Sequence, residues 1–128
     1  MSEPVWMPLA AILAVHDRQI AEHGGATGMR DVTLLDAGCE RPRNLFSYGE
    51  PTLWELATAY AFGIAKAHAF VDGNKRSAIV TAITFLRLNG YAFRPEPTEG
   101  VQMIEDLASS DLSEALFAGW LEVGADLL

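Results

Sequence analysis

The sequence predicts an all-α protein, a helical bundle built around one buried helix over about residues 75–89. Three observations predict it. The segment Ser77-Ala78-Ile79-Val80-Thr81-Ala82-Ile83-Thr84-Phe85-Leu86-Arg87-Leu88-Asn89 is apolar on every side, with Arg87 its only charge, and it stops at Gly90. Helix start and stop signals recur along the rest of the chain: Pro8, Gly24-Gly25, Asp31, and the Thr52/Glu55 pair. Outside the irregular stretch 41–51, only Tyr91-Ala92-Phe93 reads as a strand. With 128 residues the chain is read as one domain, residues 1–128, large enough to bury about two-thirds of its unfolded surface without a metal or disulfide.

Met7 to His23 forms the first helix, with Pro8 near its start and Leu9, Ile12, Leu13, Val15, Ile20 and Ala21 at helical spacing. His16 and His23 fall on roughly one face. Zinc helices pair histidines at i and i+4, and nothing nearby completes a ligand set, so His16 and Asp17 read as structural hydrogen-bonding residues. Gly24 to Arg30 is a connector without the Gly-Lys-Ser/Thr ending of a phosphate loop. Asp31 caps a second helix to about Glu40, closed by Pro42. Residues 41–51 then form the longest irregular segment before the central helix. Thr52 and Glu55 make a capping box for a helix that runs through Leu53, Leu56, Ala57, Tyr60, Ala61, Ile64 and Ala65 to His68. After the central helix, Glu96 and Glu99 read as solvated turn residues and Thr98 as the cap of a short helix to Ala108. Asp111 or Ser113 starts a last amphipathic helix that buries Leu116, Phe117, Trp120 and Val123.

Composition narrows the function. Nine basic against 17 acidic residues give a formal net charge of -8, which argues against a broad nucleic-acid or anionic-membrane surface. The single Cys39 cannot close an internal disulfide and fits a reducing, cytoplasmic setting. Val5 to Val15 lacks the basic start and cleavage site of a signal peptide, and no run of about 18 uncharged apolar residues is present for a membrane span.

The chemistry concentrates at His68-Ala69-Phe70-Val71-Asp72-Gly73-Asn74-Lys75-Arg76-Ser77. Lys75 and Arg76 place two cations at a helix N-terminus that is already positive, at a cost of about 0.3–1 kcal/mol each. An anion would relieve that cost. Gly73 lets backbone approach a ligand closely, and free N–H groups at the helix start can cradle phosphate. His68 offers a general base and Asp72 a hard oxygen ligand for Mg²⁺, the parts that phosphoryl or nucleotidyl transfer needs. A plainer reading stands beside this one, in which Asn74 or Asp72 caps the helix, Gly73 is a turn residue, and the two cations are solvated.

His68 to Arg76 resembles the signature loop of the Fic superfamily, H-x-F-x-[D/E]-G-N-G-R-x-x-R. His68, Phe70, Asp72, Gly73, Asn74 and Arg76 match, whereas Lys75 replaces the second glycine and Ile79 the closing arginine. Those departures resemble the death-on-curing (Doc) branch. Flanking agreement extends from His16-Asp17 through His23-Gly24-Gly25, Gly28-Met29-Arg30-Asp31 and Arg41-Pro42 to Phe85-Leu86-Arg87-Leu88-Asn89-Gly90. The resemblance implies a Fic/Doc-like helical fold with a short flap that could carry a small β element, ATP as co-substrate and Mg²⁺ as cofactor. It implies a toxin that phosphorylates a hydroxyl of a translation factor, elongation factor Tu, arrests translation, and is held by a small Phd-like antitoxin. It also implies that residues 41–51 are a flap whose Leu45, Phe46, Ser47 and Tyr48 receive a target segment as an added strand. An ordinary surface loop is the alternative there. In the implied site His68 is the base, Asp72 binds Mg²⁺, and Gly73, Asn74, Lys75, Arg76 and Ser77 receive the nucleotide phosphates.

A glycine in place of Lys75 would let an α-phosphate lie against the backbone. The lysine fills that space and favours a reversed nucleotide with its γ-phosphate toward His68. Two other readings remain open: transfer of AMP to a protein, and a non-catalytic antitoxin-binding or regulatory module. Hydrolysis of a phosphate ester by a His68-activated water is a third. Ser110 to Glu114 has the spacing of the family's inhibitory helix, but Ala115 and Ile79 break the pattern, and restraint by a separate antitoxin fits better.

Overall fold

The computed structural model describes residues 2–128. Six helices and two short strands follow in the order α1 (Leu9–His23), α2 (Val32–Tyr48), α3 (Leu53–Ala67), α4 (Asn74–Leu88), β1 (Tyr91–Phe93), α5 (Pro97–Ala108), α6 (Glu114–Gly124) and β2 (Ala125–Leu127). The all-α expectation holds. The strand expected at Tyr91-Ala92-Phe93 is present, in an antiparallel pair in which Tyr91 faces Leu127 and Phe93 faces Ala125.

The expected inner helix, α4, packs against α1, α3, α5 and β1. It shares the centre with α3, whose Leu56, Ala57, Thr58, Ala59, Tyr60, Ala61, Gly63, Ile64 and Ala65 are all buried. Small residues on α3 let its neighbours come close, and α2, α4, α5 and α6 all lean on it. One apolar cluster, including Leu35, Leu56, Tyr60, Phe70, Phe85 and Phe117, joins these elements. Truncating any such large side chain costs about 2–5 kcal/mol. The capping box predicted for α3 is present, with Thr52 accepting from the Glu55 N–H and Glu55 accepting from the Thr52 N–H.

Three local expectations change. Pro42 does not close α2, which runs six residues further, so residues 41–48 are helical rather than irregular. The proline removes one donor, and the bond it forfeits belongs to the Gly38 carbonyl. That carbonyl lies against Gly63 of α3 at a close glycine–glycine crossing. Pro42 itself is buried, so the helix continues because its packing outweighs one lost bond. At α5 the cap is Glu96, which accepts from the Thr98 and Glu99 N–H groups with Pro97 in the first turn; Thr98 lies inside the helix. β2 had no counterpart in the sequence reading. Among the described residues, no helix is long and apolar enough to cross a membrane.

Candidate active site

The helix α3 ends at His68, which takes a left-handed conformation with φ 48° and ψ 39°. For a residue with a Cβ this costs on the order of 1–3 kcal/mol and persists only where surrounding structure enforces it. Its effect is to turn the chain sharply, so that the exposed His68 side chain stands over the loop leading into α4. Gly73, at φ 78°, turns the chain back and opens α4. Between the two turns, Phe70 is buried and Ala69 lies beside it, so the loop is anchored by its middle and presents its ends.

Asn74 ties the loop into a ring. Its Oδ1 accepts from the Phe70 N–H at 3.0 Å and its Nδ2 donates to the Phe70 carbonyl at 3.0 Å. Its amide therefore serves first as a loop brace. Neither Asn74 nor Asp72 caps α4, and Gly73 offers no side chain to do so. The first backbone bond into the helix runs from the Ser77 N–H to the Gly73 carbonyl at 2.9 Å. The N–H groups ahead of it make the start of α4 an open anion-receptive end.

Asp72 is exposed, and its carboxylate accepts from the Gly73 N–H (2.8 Å) and the Ala26 N–H (3.2 Å). These two bonds, in that order, hold its carboxyl below the usual carboxylate range, and the positive charge of Arg76 adds to the effect. The group is thus ionised near neutrality with lone pairs left over for a cation. No cluster of three or more His, Cys, Asp or Glu side chains is found among the described residues. A lone carboxylate suits Mg²⁺, which keeps several waters and completes its shell with substrate phosphates.

His68, Val71, Asp72, Gly73, Asn74, Lys75 and Arg76 line one cleft of about 290 Å³. Lys75 and Arg76 are exposed and make no ion pair within the described residues. Base, carboxylate and cations therefore share one small volume, as the sequence suggested. Ser77 does not join them. Its side chain is fully buried, and its hydroxyl finds no partner among the described residues. Leu45, Phe46, Ser47 and Tyr48 also lie apart, in the last turns of α2. Leu45 and Tyr48 line a different recess of about 490 Å³ with Thr58 and Ala59, and Thr58 precedes His68 by roughly 15 Å along α3. A helical segment has committed its backbone groups and offers no edge to an added strand.

Sequence reading missed what holds the loop from outside. The connector Gly24 to Asp31 pairs with it: Met29 forms an antiparallel bridge with Phe70, the Arg30 N–H donates to the Ala69 carbonyl at 2.6 Å, and the Val71 N–H donates to the Gly28 carbonyl at 3.1 Å. Gly25 comes so close that a Cβ there would stand 2.6 Å from Asp72 Oδ2. Gly24, Gly25 and Gly28 all have positive φ, and that run of glycines was the available signal for a tight backbone approach.

A family model described as the Fic/DOC family matches residues 6–86, a span that holds α1 to most of α4 and every residue of the cleft. The chain belongs to the Fic/Doc family. It is similar to "Protein kinase doc" of Escherichia phage P1, 32% identical over 115 residues, which cover 89% of this chain and 83% of that protein. It is also similar to "Toxin Doc" of Mycolicibacterium smegmatis, 47% identical over 70 residues, covering 52% of this chain and 53% of that one. Both relatives carry Doc names, and the departures at Lys75 and Ile79 point to the same branch, so this is a Doc-like member of the family. The matched span includes the loop between α3 and α4 and the connector that braces it.

Proposed function

We propose that this protein is a Doc-type toxin of a toxin–antitoxin pair, a cytoplasmic protein kinase that uses ATP with Mg²⁺ to phosphorylate a hydroxyl side chain of a translation factor. The observation that carries the reading is the shared cleft, where an exposed imidazole, an ionised carboxylate and two unpaired cations meet at an uncapped helix start. The name of the phage P1 relative, a protein kinase, supports the same chemistry.

In this mechanism neutral His68 accepts the proton of the target hydroxyl as its oxygen attacks the γ-phosphorus. The new O–P bond forms while the bond to the β-bridging oxygen breaks, and ADP leaves. Lys75 and Arg76 neutralise charge on the phosphates, and the N–H groups at the start of α4 orient them. Asp72, with Mg²⁺ bound, would add charge neutralisation at the nucleotide. Asn74 keeps the loop closed through Phe70, and its second amide hydrogen remains for the phosphates. Leu45, Phe46, Ser47 and Tyr48 contact the target, or the Phd-like antitoxin, through side chains.

Elongation factor Tu is the target that the family resemblance favours. Mass spectrometry after incubation with ATP, Mg²⁺ and the elongation factor tests this. Gain of one phosphoryl group is the expected result. Gain of an AMP group, or no modification by antitoxin-free protein, overturns the kinase reading.

A further inference from the structure

His16 takes no part in the chemistry above, and it is 4% exposed beneath the loop. Its ring stacks on Phe70 with centroids 3.7 Å apart and planes 5° from parallel. Its Nε2 lies 2.8 Å from the Asp72 carbonyl oxygen. A carbonyl can only accept, so Nε2 carries the hydrogen. Nδ1 stands 3.9 Å from the exposed Asp17 carboxylate, too far for a hydrogen bond.

What His16 grips is main chain, and that decides its consequence. The Asp72 carbonyl and the Gly73 N–H belong to one planar trans peptide, so fixing the direction of the first fixes the second, pointing the opposite way. That opposed N–H is the one that donates to Asp72 Oδ1 at 2.8 Å. The His16 ring also packs directly beneath Gly73, where a Cβ would sit 3.6 Å from His16 Nε2 and Cδ2, an ordinary contact, and 3.2 Å from Ile20 Cδ1, a tight one. We propose that His16 is a positioning residue: by holding the Asp72–Gly73 peptide from below, it aims the Asp72 carboxylate into the cleft for the cation that accompanies the nucleotide.

This rests on the reading of Asp72 as the cation ligand. Outer partners of ligating groups are worth about 10–100-fold in metal affinity. His16→Phe keeps the stack and removes the donor, whereas His16→Gln keeps an N–H at the Nε2 position and removes the stack.

Mn²⁺–ATP binding by electron paramagnetic resonance, with amide exchange at Gly73 in nucleotide-free protein, reads the effect without any phosphoryl acceptor. The expected result for His16→Phe is about tenfold or greater loss of Mn²⁺–ATP affinity and faster Gly73 exchange, with His16→Gln closer to wild type in both. In turnover, the Mg²⁺ concentration at half-maximal rate rises for His16→Phe while the rate at saturating Mg²⁺ changes less. A folded His16→Phe with wild-type Mn²⁺–ATP affinity overturns the proposal and leaves the kinase reading standing. Wild-type protein that takes up no Mn²⁺–ATP overturns both. Should His16→Phe fail to fold, His16→Gln is read against His16→Asn, whose shorter side chain cannot reach the carbonyl, and equal affinities for those two overturn it.

Discussion

The carbonyl of Gly38 lies against the backbone of Gly63, where α2 crosses α3 without a side chain between them. A Cβ on Gly63 would meet the Gly38 carbonyl carbon at 3.0 Å and its Cα at 3.1 Å, and one on Gly38 would meet the Gly63 oxygen at 2.7 Å. The helices cannot separate freely, because Arg41 of α2 forms a two-pronged ion pair with Glu114 of α6 and lies 4.5 Å from the centre of the Phe62 ring.

Gly63→Ala is therefore expected to destabilise the fold by about 1–3 kcal/mol, the usual cost of overpacking, even though alanine is the better helix former. Gly119→Ala, in the interior of α6 with nothing within 4 Å of the new Cβ, should stabilise by about 0.5–1 kcal/mol. Paired thermal melts check this. Equal shifts of one sign would contradict the close crossing.

His68→Gly should separate stability from activity. Glycine takes the left-handed conformation of position 68 without the Cβ penalty, so the denaturation midpoint should rise by a value equivalent to about 1 kcal/mol. If His68 is the base of the proposed kinase, phosphoryl transfer should fall about 10²–10⁴-fold. Urea unfolding and a phosphate-transfer assay on the same preparation check both arms.

Gly25→Ala should damage the cleft from a residue that touches no substrate. Its φ is +118°, and its Cβ would stand 2.6 Å from Asp72 Oδ2, so the carboxylate must move. The expected outcome is a raised Mg²⁺ requirement with the helical circular dichroism unchanged. Gly24→Ala shares the backbone strain at φ +80° but meets nothing within 4 Å, and serves as the control.

The pH dependence follows from Asp72, whose pKa lies below the ordinary 3.8 in the folded chain because the Gly73 and Ala26 N–H groups favour the carboxylate. A carboxyl lowered by folding contributes stability that is fully present above its unfolded pKa. That contribution is lost as pH falls through the folded value. The stability difference between wild type and Asp72→Asn should hold steady from pH 7 to 5 and shrink below 3.8. Denaturation midpoints measured across that window check the sign.

Local rules carried the helices and the loop. The Thr52/Glu55 box, the Asp31 cap and the Gly24 stop depend on neighbours within a turn and were legible, while the last helix takes Ser113 of the two caps, Asp111 or Ser113, that its neighbours left open. The His68–Arg76 stretch was legible because its chemistry is contiguous. What escaped depends on distant partners: His16 reaches a carbonyl 56 residues away, and β2 finds its ladder on β1. The connector after α1 is a brace only by virtue of pairing with residues 69–72. Pro42 misled for a related reason, since its penalty is local while the burial that offsets it comes from other helices. Ser77 looked available by position, yet the face of α4 it occupies points inward.

The brace itself contributes almost nothing to the apolar interior, since residues 21–34 are exposed throughout. Sub-global opening costs least where few apolar contacts must break. The catalytic geometry therefore has a melting point of its own, below that of the bundle. Gentle warming should silence the enzyme and expose the Gly24–Asp31 backbone to proteases while the six helices still stand. An antitoxin or nucleotide that grips this strip would raise the lower transition and leave the upper one in place.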